Sequence, residues 1–300
     1  MDADTRDLLR DSVRALFAAD TTDLLAELDE MGWAEVVSDD EAAAVDLLFT
    51  EQGRAGAASA ALDDVLTSAA GAGGNPVVVH PLAWPQSAVH AGRLVVDGVV
   101  LHAPRDREAL VIRGETTGFL VTDWSAEAAG GFSPSSGLHR VRLDLPLDDV
   151  HPVALDASQA IAAARRALAA ELIGNAGAML DLAADHVTQR TQFGRPIGSY
   201  QSVRHRLADA YAQVEAAREL VGVAWASGSA WDARVSKAYA GWAAETTAAA
   251  CMQVCGAIGL TSEHALGRYV ARARVLDALY GGWEDAIHDI GEHLLGEAGR

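Results

Sequence analysis

The sequence predicts an α+β chain, mainly α, in which a small helical domain and a small β-domain precede a long C-terminal four-helix bundle. Three observations carry this reading. Apolar residues recur at helical spacing from Thr5 to about Ala70. The period drops to two beyond the glycine-rich GAGGNP of residues 71–76. After Pro152 the composition swings to alanine, with no proline before Arg190. The domain boundaries this implies are 1–72, 73–152 and 153–300.

In the first region the helical rows are Leu8, Leu9, Val13, Leu16 and Phe17, then Leu24, Leu25 and Leu28, then Val45, Leu47, Leu48 and Phe49. In the second, RLVV-DG-VVL (Arg93 to Leu101) sets Asp97-Gly98 between two apolar runs and predicts a hairpin turning at that dipeptide. Ala109 to Thr122 predicts a second hairpin, and His139 to Leu147 alternates as a half-buried strand does. The last region predicts helices over 157–190, roughly 200–226, 231–255 and 263–295, arranged as an antiparallel bundle.

With 300 residues, 50% of them hydrophobic and 22% charged, the chain is long enough to bury a substantial core. Its formal net charge of -19 argues against nucleic acid and anionic membrane surfaces as partners. Arg204, His205 and Arg206 are a local basic spot that could still meet an anionic ligand. Cys251 and Cys255 stand one helical turn apart, the spacing of two small apolar residues on one face more often than of a redox or metal pair, so no metal is expected. The acidic start MDADTRDLLRDS has no apolar segment of the signal-peptide kind, and no later stretch reads as a bilayer span, so a cytoplasmic location is the expectation.

Two segments carry a resemblance. Gln189 to Leu220, QRTQFGRPIGSYQSVRHRLADAYAQVEAAREL, has an arginine, then Phe-Gly, then an isoleucine, then an aromatic-Gln pair leading into a helix. Gln253 to Arg274, QVCGAIGLTSEHALGRYVARAR, has a glutamine and a glycine turn before another helix. Both motifs, in this order, resemble the acyl-CoA dehydrogenase family, and with the helices around them they cover about half of the chain. The resemblance implies FAD as cofactor, held as one half of a clamp that serves the flavin of a neighbouring subunit. Arg190 would supply a guanidinium fork to the pyrophosphate, Phe193 and Ala257 would lie at the site, Gly256 and Gly259 would admit the backbone closely, and Gln201 and Gln253 would bond the adenosine part. The plain structural alternative is that Arg190 caps a helix, Phe193 packs in the core and the glycines form a turn.

The chain also departs from the family. Where members carry a Thr-Glu-Pro-like segment whose backbone grips the flavin ring, this sequence reads GAGGNPVVVHPLAW (Gly71 to Trp84). The first two domains are short beside the family's. The glutamate that removes the substrate α-proton stands in a Tyr-Glu-Gly sequence in most members, and here Tyr280-Gly281-Gly282 leaves that position to Gly281. The second family location, one residue before Arg165, falls on Ala164. Glu284 and Asp285 are minority candidates for a substitute base, since acidic residues in a first helical turn usually answer the helix dipole. Glu171 reads as a paired structural carboxylate, and Trp225, Trp231, Trp242 and Trp283 as core.

The resemblance therefore implies a subunit of a flavin-dependent acyl-CoA dehydrogenase similar to the shortened subunit of actinobacterial α2β2 enzymes that act on bulky thioesters such as steroid side chains. Its partners would be a homologous catalytic subunit, an acyl-CoA substrate and an electron-transfer flavoprotein. The alternatives are a self-sufficient homo-oligomer using Glu284 or Asp285, and a non-enzymatic scaffold.

Overall fold

The structure, a computed structural model, describes residues 1–19, 24–82, 89–102, 107–129 and 137–298. Ala83 and Trp84, the end of the segment that replaces the flavin grip, lie outside them. Four helices lead: α1 (Ala3–Ala18), α2 (Leu24–Glu30), α3 (Trp33–Ala55) and α4 (Ala61–Ala70). Asp2 starts α1 by accepting from the Thr5 amide, and the left-handed Gly56 and Gly71 end α3 and α4.

The β-region holds two sheets. One pairs β1 (Val77–Val78), β5 (Ala109–Arg113), β6 (Thr117–Val121) and β9 (His151–Ala154) in the order β1-β5-β6-β9. The other runs β2 (His80–Pro81), β4 (Arg93–Val100), β8 (His139–Pro146), β7 (Ala126–Ala128), with β3 (Val89–His90) also on β4. The β5–β6 hairpin and strand β8 lie where the sequence predicts them.

The hairpin expected at Asp97-Gly98 does not form. β4 runs straight through the dipeptide and pairs along its whole length with β8, from Arg93↔Pro146 to Val100↔His139. Asp97 faces out and takes Arg140 at 2.7 Å. Gly98 is required for a close approach instead: a Cβ there would press on the His80 carbonyl oxygen of β2. A full-length ladder with a distant strand outweighs a local turn preference.

The C-terminal part comprises α5 (Ala157–Gln189), a small hairpin β10 (Thr191–Gln192) and β11 (Arg195–Pro196), α6 (Gln201–Ser227), α7 (Ala230–Cys255), α8 (Leu266–Ala278) and α9 (Trp283–Ala298). The last two replace the single helix expected over 263–295. Tyr280 and Gly281 have φ of 56° and 104°, values no helix accommodates, and the break they form carries the candidate site.

α5 is the axis of the molecule. It packs against α3, α4, α6, α7 and α8, and the helices on both sides of the β-region share one buried core. A second core fills the space between the sheets. By length and composition α5 would pass for a bilayer span, contrary to the expectation from sequence, but 78% of its most apolar window is buried inside the fold. It meets α3 at backbone distance. A Cβ on Gly53 would overlap the Glu171 carbonyl, and one on Gly174 the Thr50 carbonyl.

Candidate functional site

The candidate residues form two groups at opposite ends of α5. Between Arg165 and Arg190 lie 25 helical steps, roughly 37 Å at 1.5 Å per residue.

At the C-terminal end, α5 stops at Arg190, whose extended backbone turns the chain into the β10–β11 hairpin. Thr191↔Pro196 and Gln192↔Arg195 pair, leaving Phe193-Gly194 as a two-residue loop with φ of 51° and 79°. Positive φ at both loop positions is the geometry that matches strand twist. It holds Phe193 outward, 93% exposed, which rules out the plain structural alternative in which this ring packs in the core. Arg195 stacks over Tyr200 with its guanidinium carbon 4.1 Å from the ring centre and braces the hairpin against the start of α6.

Gln201 is the first residue of α6, exposed, and Arg204, His205 and Arg206 are exposed within the next turn and a half. Because α6 and α7 are antiparallel, the end of α7 returns to the same end of the bundle. There Gln253 and Ala257 are exposed, and Gly256 has φ 64° and ψ -146° with open space where a Cβ would point. The His186 and His264 rings meet edge to face with centroids 6.1 Å apart, joining the end of α5 to the segment before α8. Burial first, then the charges of His264 and Arg190, push the His186 imidazole below its ordinary pKa. Among the described residues Arg190 has no carboxylate partner.

A cofactor pyrophosphate fits this surface. An exposed arginine without an ion pair, a helix N-terminus, and a glycine turn whose backbone is open to approach stand at one end of the bundle, and the chemistry of all three suits an anion. Arg190, Gln201, Gln253 and Gly256 would hold the group there.

Toward the other end of α5 lie the residues beside the two positions that the resemblance assigns to the base, Ala164 and Gly281. Ala164 is fully buried, and its neighbour Arg165 donates from Nε and Nη2 to the Tyr280 carbonyl at 3.2 and 3.1 Å, next to Gly281. A cavity of about 220 Å³ opens here, lined by Arg165, Arg234, Lys237, Tyr280, Gly281 and Asp285. Glu284 is exposed and does not line it. Lys237, 1% exposed, holds the helix break from α7 by donating to the Gly281 carbonyl at 2.5 Å and to that of Asp277.

On its far side Tyr280 is tied to the β-region. Its hydroxyl lies 3.0 Å from His80 Nδ1, and His80 Nε2 lies 2.8 Å from Asp63 Oδ1. Asp63 Oδ2 also receives the Val78 amide and His102 Nε2, each at 3.1 Å. Burial works to raise the Asp63 carboxyl, but the hydrogen bonds from His102 and His80 prevail and hold it below the usual range. An ionised Asp63 only accepts, so His80 donates from Nε2 and its Nδ1 receives the Tyr280 phenol. Burial, with the Asp63 charge behind it, raises that phenol well above its ordinary value and keeps it a donor.

Asp63, His80, Arg234 and Lys237 were not singled out from sequence. The available signals were a histidine inside the apolar run VVVHP and a lysine in the alanine-rich face of α7. Glu171 pairs with buried Arg272 at 3.0 Å, in keeping with a structural carboxylate. The four tryptophans are half-buried rather than core: Trp225 lies under Arg166, Trp231 meets His293, Trp242 meets Tyr239, and Trp283 donates to Glu245.

Residues 155–295 match the acyl-CoA dehydrogenase C-terminal domain model. The chain is 36% identical over 165 residues, 54% of its length and 50% of the relative's, to acyl-CoA dehydrogenase IpdE2 of Mycobacterium tuberculosis. It spans half or less of the curated relatives it matches. Its backbone superposes on the ChsE4-ChsE5 complex from Mycobacterium tuberculosis with a TM-score of 0.75 at 21% identity, covering 98% of both chains. The Tcur3481-Tcur3483 steroid acyl-CoA dehydrogenase variant gives 0.73 at 20% identity, covering 99% of both. Residues 155–295 thus match the C-terminal domain of acyl-CoA dehydrogenases, and the whole chain has the fold of these two solved structures.

Proposed function

We propose that this chain is the companion subunit of a heteromeric acyl-CoA dehydrogenase, completing the FAD site of a homologous catalytic partner. The observation that carries the reading is the His80–Tyr280 hydrogen bond. It joins the segment that stands in place of the flavin grip to the loop that holds the vacant base position, and both side chains are at most 1% exposed. The clamp residues stand roughly 37 Å away along α5, a span longer than a dinucleotide, so a cofactor they hold has its ring outside this chain's own pocket.

When bound, FAD accepts the hydride lost from the acyl β-carbon. This chain's part is to bind and orient the cofactor's phosphate and adenosine portions through Arg190, Gln201, Gln253 and the Gly256 turn. The partner supplies the glutamate and the ring contacts, and an electron-transfer flavoprotein reoxidises the complex. A bulky CoA thioester of the steroid side-chain kind is the substrate class, supported by the likeness to a steroid enzyme's fold.

Co-expression with a homologous full-length dehydrogenase chain tests this. The complex is expected to show flavin absorbance and to reduce a dye with acyl-CoA, while this chain alone does neither. Stoichiometric FAD and dye reduction by the chain alone would overturn it and favour the second reading, a self-sufficient enzyme with Asp285, which lines the cavity beside Gly281, as base. Unchanged turnover in Asp285→Ala would exclude that in turn.

A further inference from the structure

The β10–β11 hairpin has no core to hold it. Every residue from Thr191 to Pro196 is exposed, and a two-stranded hairpin is marginal by itself in water. Arg190 at its base is exposed as well, so packing does not aim this side chain. A short set of contacts has to fix the loop instead. The Ile197 amide donates to the Arg190 carbonyl at 2.8 Å and closes it.

The remaining contacts meet at Tyr200, which ties three elements together. Its ring carries the Arg195 guanidinium of β11 at 4.1 Å. Its hydroxyl donates to the Gln192 carbonyl of β10 at 3.4 Å, a long and weak bond. Its own carbonyl accepts the Val203 and Arg204 amides, each at 3.2 Å, and so begins α6. Gln201 is the next residue in the chain. Two clamp residues at the two ends of this loop, Arg190 and Gln201, are thus referred to a single half-buried ring.

We propose that Tyr200, with Arg195 stacked on it, is a positioning residue for the FAD clamp. It acts by holding Arg190 and the start of α6 in the arrangement that receives the pyrophosphate, without itself touching the cofactor. Fixing the loop before the ligand arrives lowers the conformational entropy lost on binding. The proposal rests on the companion-subunit reading. The ring, rather than the hydroxyl, is the working part, because the stack is the closer contact.

The dissociation constant of FAD from the co-expressed complex, measured by flavin fluorescence after ultrafiltration, tests it. Tyr200→Leu should weaken binding about threefold to fivefold, the worth of an exposed cation–π stack. Tyr200→Phe, which keeps the ring, should bind as the wild type does. In the Arg190→Ala complex, Tyr200→Leu should add at most about twofold, because residues that act through one another are not additive. Gel filtration verifies that each variant assembles. Wild-type affinity in Tyr200→Leu, a Tyr200→Phe as weak as Tyr200→Leu, or a full loss that persists without the Arg190 side chain overturns the proposal. A wild-type complex that holds no FAD overturns the companion-subunit reading itself, and the wild type alone reveals that.

Discussion

The Tyr280 hydroxyl and the His80 imidazole, 200 positions apart in sequence, stand 3.0 Å from each other with no water able to reach them. Replacing Tyr280 with Phe leaves His80 Nδ1 buried and unpaired. The change should cost about 1–3 kcal/mol of unfolding free energy. Urea denaturation of both proteins measures it, and an unchanged midpoint would show that the contact contributes nothing.

Lys237 sets a pH dependence of definite sign. Its ammonium titrates at about 8 in the folded chain and near the ordinary lysine value when unfolded, so between those values the unfolded chain binds more protons and stability rises with pH. The gain from Lys237 alone should approach about 3 kcal/mol. The difference in unfolding free energy between the wild type and Lys237→Met, followed from pH 7.5 upward, isolates it; a flat difference contradicts the burial argument.

The contact of α3 with α5 predicts an asymmetry between two glycines. Gly174→Ala drives a methyl into the Thr50 carbonyl and should destabilise by about 1–3 kcal/mol. Gly222→Ala, in open space on α6, should stabilise by about 0.5–1 kcal/mol through helix propensity. Thermal melts of both variants give the comparison.

Arg190→Ala should lower the FAD content of the co-expressed complex about tenfold or more at a fixed free-flavin concentration, while the subunits stay together on gel filtration. Arg190→Lys should restore only part, because an ammonium lacks the planar fork. Full flavin retention in the alanine variant would remove Arg190 from the site.

Burial, followed by the neighbouring Cys255, raises the Cys251 thiol to about 12, and burial raises that of Cys255 as well. Neither should react with a thiol reagent in the native chain at pH 8, and both should react once it is unfolded. Rapid native labelling would contradict the buried helix face.

How far the sequence speaks differs by element. The helical rows, the β5–β6 hairpin and β8 were legible because a single periodicity decides each of them. Asp97-Gly98 misled because turn chemistry is local, whereas the use made of Gly98, close passage beside β2, depends on a strand seventeen or more residues earlier. The break at Tyr280-Gly281 was hidden in a helical pattern that resumes on both sides. At the site, the proposed clamp residues could be singled out because motif spacing survives in them, and the structure gathers them at one end of the bundle. Lys237, His80 and Asp63 were not, since one polar residue in an apolar run has the same appearance whether it joins a network or is a surface exception.

The backbone-level contact between α3 and α5 bears on how the chain is made. Helices α3 and α4 lack the α5 surface they pack on until residues up to about Gln189 have left the ribosome, and the Tyr280 bond forms later still. The amino-terminal third therefore depends on helices synthesised after it, exposed to chaperones and proteases during that interval, and a version truncated before α5 should emerge without a settled shape.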